Sequence, residues 1–288
     1  MAAFPGVITI RTYNNKVAFI TGGAAGIGLG MAKAFAAKGM KLGLADLHAD
    51  KLEAARAELA ALGHHHVKVF ALDVSNRDAL VKAIGETASA FGALHVVCAN
   101  AGVGGRIGPL QDSTAGDWDW IIDVNLKGAV NTVQAALPHL LKHPAESHIV
   151  ITSSISGLRV YEPSRGQGMY NTTKFALVGY GEALYADLHQ LGMGISIVCP
   201  GVVKTDISNS GQHRPDRFGG AFETSSDFVL AKAARFGTDP QVFGQWVLKA
   251  MERNQLHVVT HPDDRPIVEA RHARIMKAFD DCESLTRG

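Results

Sequence analysis

The chain has 288 residues, a formal net charge of +1, 47% hydrophobic and 19% charged residues. That balance offers no electrostatic case for nucleic acid or an anionic membrane surface and points instead to a small-molecule partner. Cysteines are few and scattered: Cys98 and Cys199 lie inside apolar runs and read as buried free thiols, which suits a reducing, cytoplasmic compartment.

The opening "MAAFPGVITIRTYNN" lacks a basic start, an apolar core and a cleavage site, so residues 1–15 read as an N-terminal extension and not a signal peptide. From Lys16, short apolar runs alternate with amphipathic segments. "KVAFITGG" leads into the helical "LGMAKAFAAKG". "KLGLAD" from Lys41 leads into "DKLEAARAELAALG", followed by a polar gap at His64–His66. "VKVFALDV" begins at Val67, "LHVVCANAG" at Leu94, "HIVITSS" at His148, "GISIVCPG" at Gly194 and "LHVVTHP" at Leu256. Runs that are continuously apolar and rich in β-branched residues suit strands covered on both faces. Their alternation with helices predicts an α/β fold: a doubly wound sheet of about seven mainly parallel strands with helices on both faces. No linker or repeat divides the chain, so residues 1–288 read as a single domain. Residues 206–238, rich in Gly, Pro, Ser and charge, are too long for a simple connection and read as a substrate loop or lid. Residues 263–288 read as a helical tail. No run approaches the about 20 apolar residues needed to cross a bilayer.

The first strand runs directly into "TGGAAGIGLG", which places Gly22, Gly26 and Gly28 in the pattern TGxxxGxG. Absent side chains permit a tight turn and let a pyrophosphate reach the N–H groups at a helix start. Gly22, Ala25, Gly26, Ile27 and Gly28 are therefore candidate cofactor contacts. The second strand ends at Asp46, where a carboxylate can accept hydrogen bonds from ribose hydroxyls and repel a 2′-phosphate. With Leu47 next and no Arg or Lys in the loop, NAD is favoured over NADP.

In "MYNTTKFALVGYGEALYADL", Tyr170 and Lys174 stand one helical turn apart on one face. A free tyrosine, with a pKa near about 10, is a poor base at neutral pH. A lysine held nearby is expected to favour the phenolate and lower that value. Tyr170 can then exchange a proton with a substrate hydroxyl. Ser153 and Ser154 both end the strand "HIVITSS" at the sheet's carboxyl edge, where a hydroxyl can hydrogen-bond a substrate oxygen. Asn125, in the helical "DWDWIIDVNLKG", reads on its own as a solvent-facing or locally bonded amide.

Together these motifs resemble the short-chain dehydrogenase/reductase family across nearly the whole chain: TGxxxGxG, Asp73-Val74, "NAG" at Asn100–Gly102, Asn125, Ser154, Tyr170-xxx-Lys174 and "PGVVKT" from Pro200. The family's usual NNAG is here "ANAG", with Ala99 in the first place. The resemblance implies a Rossmann-type fold and selects Ser154 over Ser153, with Asn125, Ser154, Tyr170 and Lys174 as the catalytic set. It implies that Asp73 and Val74 flank an adenine, and that Asn100, Ala101 and Gly102 support the cofactor. Tyr170, Lys174, Pro200, Gly201, Val203 and Thr205 are then expected near the nicotinamide. It implies an NAD-dependent oxidoreductase that interconverts a secondary alcohol and a ketone, without a metal, as a homodimer or homotetramer.

Two other readings use the same motifs. A nucleotide-sugar epimerase or dehydratase shares YxxxK, but with TGxxGxxG spacing and a larger C-terminal domain. A non-catalytic cofactor-binding regulator should lack one of the four catalytic side chains. The tail, the long insert and "DWDWIIDVNLKG" also resemble bacterial aryl-ether Cα-dehydrogenases, which implies a bulky benzylic alcohol as substrate. Between Ser154 and Tyr170, Arg159, Tyr161, Glu162 and Arg165 read either as a pocket mouth or as solvated surface. His213 and Arg214 are candidates for substrate contact.

Overall fold

The computed structural model describes residues 10, 12–163, 165–223 and 235–286. All seven apolar runs are strands: β1 (Val17–Thr21), β2 (Lys41–Asp46), β3 (Val67–Ala71), β4 (Val96–Ala99), β5 (His148–Thr152), β6 (Gly194–Cys199) and β7 (His257–Val259). They form one sheet in the order β3-β2-β1-β4-β5-β6-β7, and every neighbouring pair is parallel. β1, β4, β5 and β6 are buried at every position, which explains why their sequences do not alternate with polar residues.

Two cores sandwich the sheet. On one face, α1 (Gly26–Ala36), α2 (Ala49–Ala61) and α7 (Pro240–Glu252) contribute Met31, Phe35, Leu52, Leu59, Phe243 and Val247. On the other, α3 (Arg77–Phe91), α5 (Gly128–Leu140) and α6 (Gly168–Leu188) contribute Leu80, Ile84, Val133, Leu140 and Leu177. α1 and α7 cross so closely that a Cβ on Gly30 would collide with the Pro240 carbonyl, and one on Gly244 with the Gly30 carbonyl. The chain steps outward from β1 to β3, then returns to place β4 on the other side of β1. A crevice therefore opens at the carboxyl ends of β1 and β4, where the winding reverses.

Between α4 (Ala115–Ile121) and α5 the helix widens into a π-helical turn, Ile122–Lys127, which carries Asn125. Such turns mark functional positions in many helices. Within the expected N-terminal extension, residues 1–9 and 11 lie outside the described residues, while Ile10 and Tyr13 are buried in the core. Part of the expected loop, residues 224–234, also lies outside them; Ile207–His213 and Asp216–Phe218 form short 3₁₀ turns. The tail is helix α8 (Arg265–Thr286). Among the described residues, no helix is long and apolar enough to cross a membrane.

Arg159 is not solvated surface. It is buried, with Nε donating to Asp264 Oδ1 at 2.8 Å and Nη2 to the Tyr161 hydroxyl at 2.8 Å. The Tyr161 ring lies between the guanidiniums of Arg159 and Arg165, at 3.6 and 3.9 Å. The segment after Ser154 is thereby tied to the start of the tail, because a guanidinium taken out of water needs both a charge partner and further hydrogen bonds.

Candidate active site

A cleft of about 440 Å³ crosses the carboxyl ends of the strands, within the roughly 300–1,000 Å³ typical of small-molecule sites. One wall is the glycine loop. Gly22 and Gly26 have φ values of +64° and +51°, a region that side chains disfavour. The N-terminus of α1 has no side-chain cap, and Ala25, Gly26 and Ile27 face the cleft. Their N–H groups, with the positive end of the helix dipole, form an anion cradle. Gly28 stands behind it: a Cβ there would strike the Gly22 carbonyl and approach Asn100 Nδ2, so this glycine lets the loop close on itself.

At one end of the cleft, Asp46 accepts from the backbone N–H groups of Ala24 and His48, each at 3.3 Å, which fixes its carboxylate at the tip of β2. Leu47, Asp73 and Val74 line the same end. At the centre, Asn100 ties three strands together. Its N–H donates to Thr21 Oγ1 at 3.0 Å, its Nδ2 to the Thr21 carbonyl at 2.9 Å, and its Oδ1 accepts from Thr152 Oγ1 at 3.0 Å. Ala101 and Gly102 continue the floor.

At the far end Tyr170 and Lys174 face the cleft with Pro200 and Thr205. Burial pushes the Tyr170 phenol up to about 12, and the neighbouring Ser154 hydroxyl opposes that rise only in part. This corrects the expected lowering by Lys174: burial, and not the ammonium, governs the phenol. The Lys174 ammonium donates to the Thr152 carbonyl at 3.0 Å and lies 5.4 Å from the Tyr170 ring centre. Burial brings Lys174 itself down to about 8. Ser153 lines the cleft, but its hydroxyl is engaged, donating to the Lys174 carbonyl at 2.8 Å. Ser154 Oγ accepts from the Ser156 N–H at 3.1 Å.

Asn125 is fully buried and faces neither solvent nor the cleft. Its Oδ1 accepts from the Val103 N–H at 2.7 Å, and its Nδ2 donates to the Val103 carbonyl at 3.0 Å and to Thr173 Oγ1 at 3.2 Å. It therefore joins the loop after β4 to α6 next to Lys174. Gly201 and Val203 also lie behind the wall. Gly201 donates its N–H to His261 Nδ1 at 3.0 Å, and Val203 bridges Thr238.

The sequence matches the short chain dehydrogenase family over residues 16–216. The chain belongs to that family. Its C alpha-dehydrogenase relative from Sphingobium sp. is 31% identical over 284 residues, covering 97% of this chain and 91% of that protein. A CLA biosynthesis dehydrogenase/reductase of Lactiplantibacillus plantarum is 30% identical over 279 residues, covering 93% and 95%. A Burkholderia phymatum short chain dehydrogenase/reductase, crystallised with NAD, has a TM-score of 0.85 at 32% identity and covers 92% of this chain and 96% of its own. The protein is thus an oxidoreductase of the short-chain dehydrogenase type, with a cleft suited to a nicotinamide cofactor. The uncapped helix start, the glycine cradle that a Cβ would fill and the carboxylate at the tip of β2 fit that group.

Sequence reasoning missed several cleft residues. Thr152 supplies the carbonyl that holds Lys174, and its position as the last residue of a strand was the available signal. Val103, Trp120, Val124 and Phe218 form an apolar and aromatic wall, and His48 and Lys51 line the Asp46 end. His48 and Lys51 belong to no motif; Trp120 and Val124 lie in "DWDWIIDVNLKG", Val103 in the loop after "NAG" and Phe218 in the expected 206–238 loop, and the fold brings their side chains together. Of the two candidates for substrate contact, His213 lines the cleft and Arg214 is in a buried ion pair with Asp117.

Proposed function

We propose that the protein interconverts a secondary alcohol and a ketone with NAD, and that Tyr170 is the general acid and base. The observation that carries this reading is the Tyr170 phenol. It faces the cleft one helical turn from Lys174, whose ammonium lies 5.4 Å from its ring centre, with Ser154 as a neighbour. When bound, the nicotinamide supplies the hydride acceptor or donor. The protein's part is to hold the substrate oxygen and move its proton. A phenol pushed up to about 12 is protonated at neutral pH, the form that ketone reduction consumes. Oxidation needs the phenolate, and the Lys174 ammonium stands close enough to favour it as charge develops. In this reading the Ser154 hydroxyl steadies the substrate oxygen, and Asn125 holds α6 against the floor so that Lys174 keeps its place.

The fixed Asp46 carboxylate favours two ribose hydroxyls over a 2′-phosphate, which supports NAD over NADP. Trp120, Val103, Val124, Ile207 and Phe218 on the cleft wall support a bulky, aromatic alcohol of the benzylic type. The dehydrogenase name of the Sphingobium relative supports the oxidoreductase part of this reading. Pairing into a homodimer or homotetramer is part of the same reading, and light scattering tests it. The deciding experiment follows NADH absorbance over a panel of secondary benzylic alcohols, and its reversal with the matching ketones. Tyr170→Phe should keep cofactor affinity within a few-fold of wild type while kcat falls by about 10²-fold or more. A Tyr170→Phe enzyme that turns over at the wild-type rate would refute the role given to Tyr170.

A further inference from the structure

The segment from Asp206 to Phe222 crosses the cleft from end to end. It is fastened near the floor, where the Gly104 N–H donates to Ser210 Oγ at 2.9 Å. At the Asp46 end, the His213 ring meets His48 edge-on at 4.3 Å. Arg217 reaches Asp73 at 3.7 Å and Ser75 at 3.4 Å. Asn209, Ser210, His213 and Phe218 form the cleft wall facing the glycine cradle. These outer contacts are exposed or neutral and hold little by themselves.

One contact differs in kind. Arg214 and Asp117 are only 5% and 2% exposed, and Arg214 Nη1 donates to Asp117 Oδ1 at 2.6 Å. Arg214 Nη2 donates to the Phe218 carbonyl. The guanidinium lies 5.9 Å from the Trp120 ring and 5.7 Å from that of Phe222, and the two rings meet edge-on. Asp117 is fixed in advance by the capping box with Thr114 at the start of α4. Burial would raise its carboxyl, but Thr114, Arg214 and Arg106 together hold it below the usual range. The approach is steric as well. A Cβ on Gly116 would collide with the Phe218 carbonyl, and one on Gly104 would stand 3.0 Å from the Ile207 carbonyl.

We propose that Arg214 is a positioning residue that locks this strap over the cofactor cleft through Asp117, so that cofactor exchange requires the buried pair to part. This rests on the nicotinamide reading of the cleft. Separation leaves a carboxylate and a guanidinium short of partners in a poorly solvated place, so it is rare and slow. The strap therefore governs the residence time of the cofactor as well as access for the substrate.

The test uses the full chain and NADH alone, without substrate. NADH dissociation is timed by displacement with excess NAD, and native-state trypsin cleavage in the strap is followed in parallel. Arg214→Met should speed dissociation by about tenfold or more and hasten cleavage in the strap, with Arg214→Lys in between. A purely structural role would lower the urea midpoint without changing the dissociation rate. Should Arg214→Met fail to fold, Gly116→Ala presses on the Phe218 carbonyl and the Arg214 guanidinium while keeping both side chains of the pair, and alanine favours the helix it sits in. Dissociation within about twofold of wild type in the folded variant overturns the lock. Failure of the wild-type protein to bind NADH overturns the nicotinamide reading itself, and the lock with it.

Discussion

Tyr161 and Tyr170 belong to one stretch of sequence, yet their environments separate them completely. Tyr161 is clasped by two guanidiniums and bonded to Asp264, while Tyr170 faces the cleft beside Ser154 and Lys174. The spacing of Tyr170 and Lys174 was readable from helical periodicity; the use of Tyr161 was not, because its partner Asp264 lies in the tail, far along the chain. Asn125 shows the same limit, since nothing local told that its amide would be buried against Val103 and Thr173. Asp46 yields a prediction at this scale. Its carboxylate is held by two N–H groups, so Asp46→Asn keeps an acceptor there while removing the charge. The ratio of kcat/KM for NADP over NAD should rise by about tenfold. An unchanged ratio in steady-state assays would show that Asp46 does not select the cofactor.

At the scale of elements, the strands were largely legible, because burial on both faces writes itself as continuous apolar sequence. Close approaches between elements were not legible. Gly22, Gly26 and Gly28 announce themselves by spacing, whereas Gly30 looks like an ordinary weak spot in a helix until Gly244 is seen against it. The crossing of α1 and α7 fixes the angle at which α1 presents its N-terminus to the cleft. Gly244→Ala must move one helix, which should cost about 1–3 kcal/mol in urea unfolding. NADH affinity should weaken in the same variant. A urea midpoint equal to wild type would show that the crossing has slack.

Over the whole molecule, the amino-terminal side of the sheet carries two buried histidines with no part in the cleft. His95 accepts from the Val17 N–H at 3.1 Å through Nδ1, and His148 Nε2 lies 3.0 Å from Ser196 Oγ. Burial, aided for His95 by Lys16 and His143, lowers them to about 4 and about 3. Below about pH 6.5 the unfolded chain takes up protons that the folded one refuses, so stability is full above that pH and falls as the solution is acidified. The loss continues to about pH 4 for His95 and about pH 3 for His148, with a limiting slope of about 1.4 kcal/mol per pH unit for each. Urea unfolding at pH 7 and pH 5 checks this; equal stabilities would show that neither ring is held neutral. The crossing of Gly30 with Gly244 also sets an order of events during synthesis. Ribosomes emit about 5–20 residues per second, and β1 with its glycine loop emerges well before β4 can flank it or α7 can brace α1. The part of the protein that grips a cofactor is thus among the first made and among the last completed, and a nascent chain stopped before Pro240 should leave the apolar flank of α1 open to chaperones.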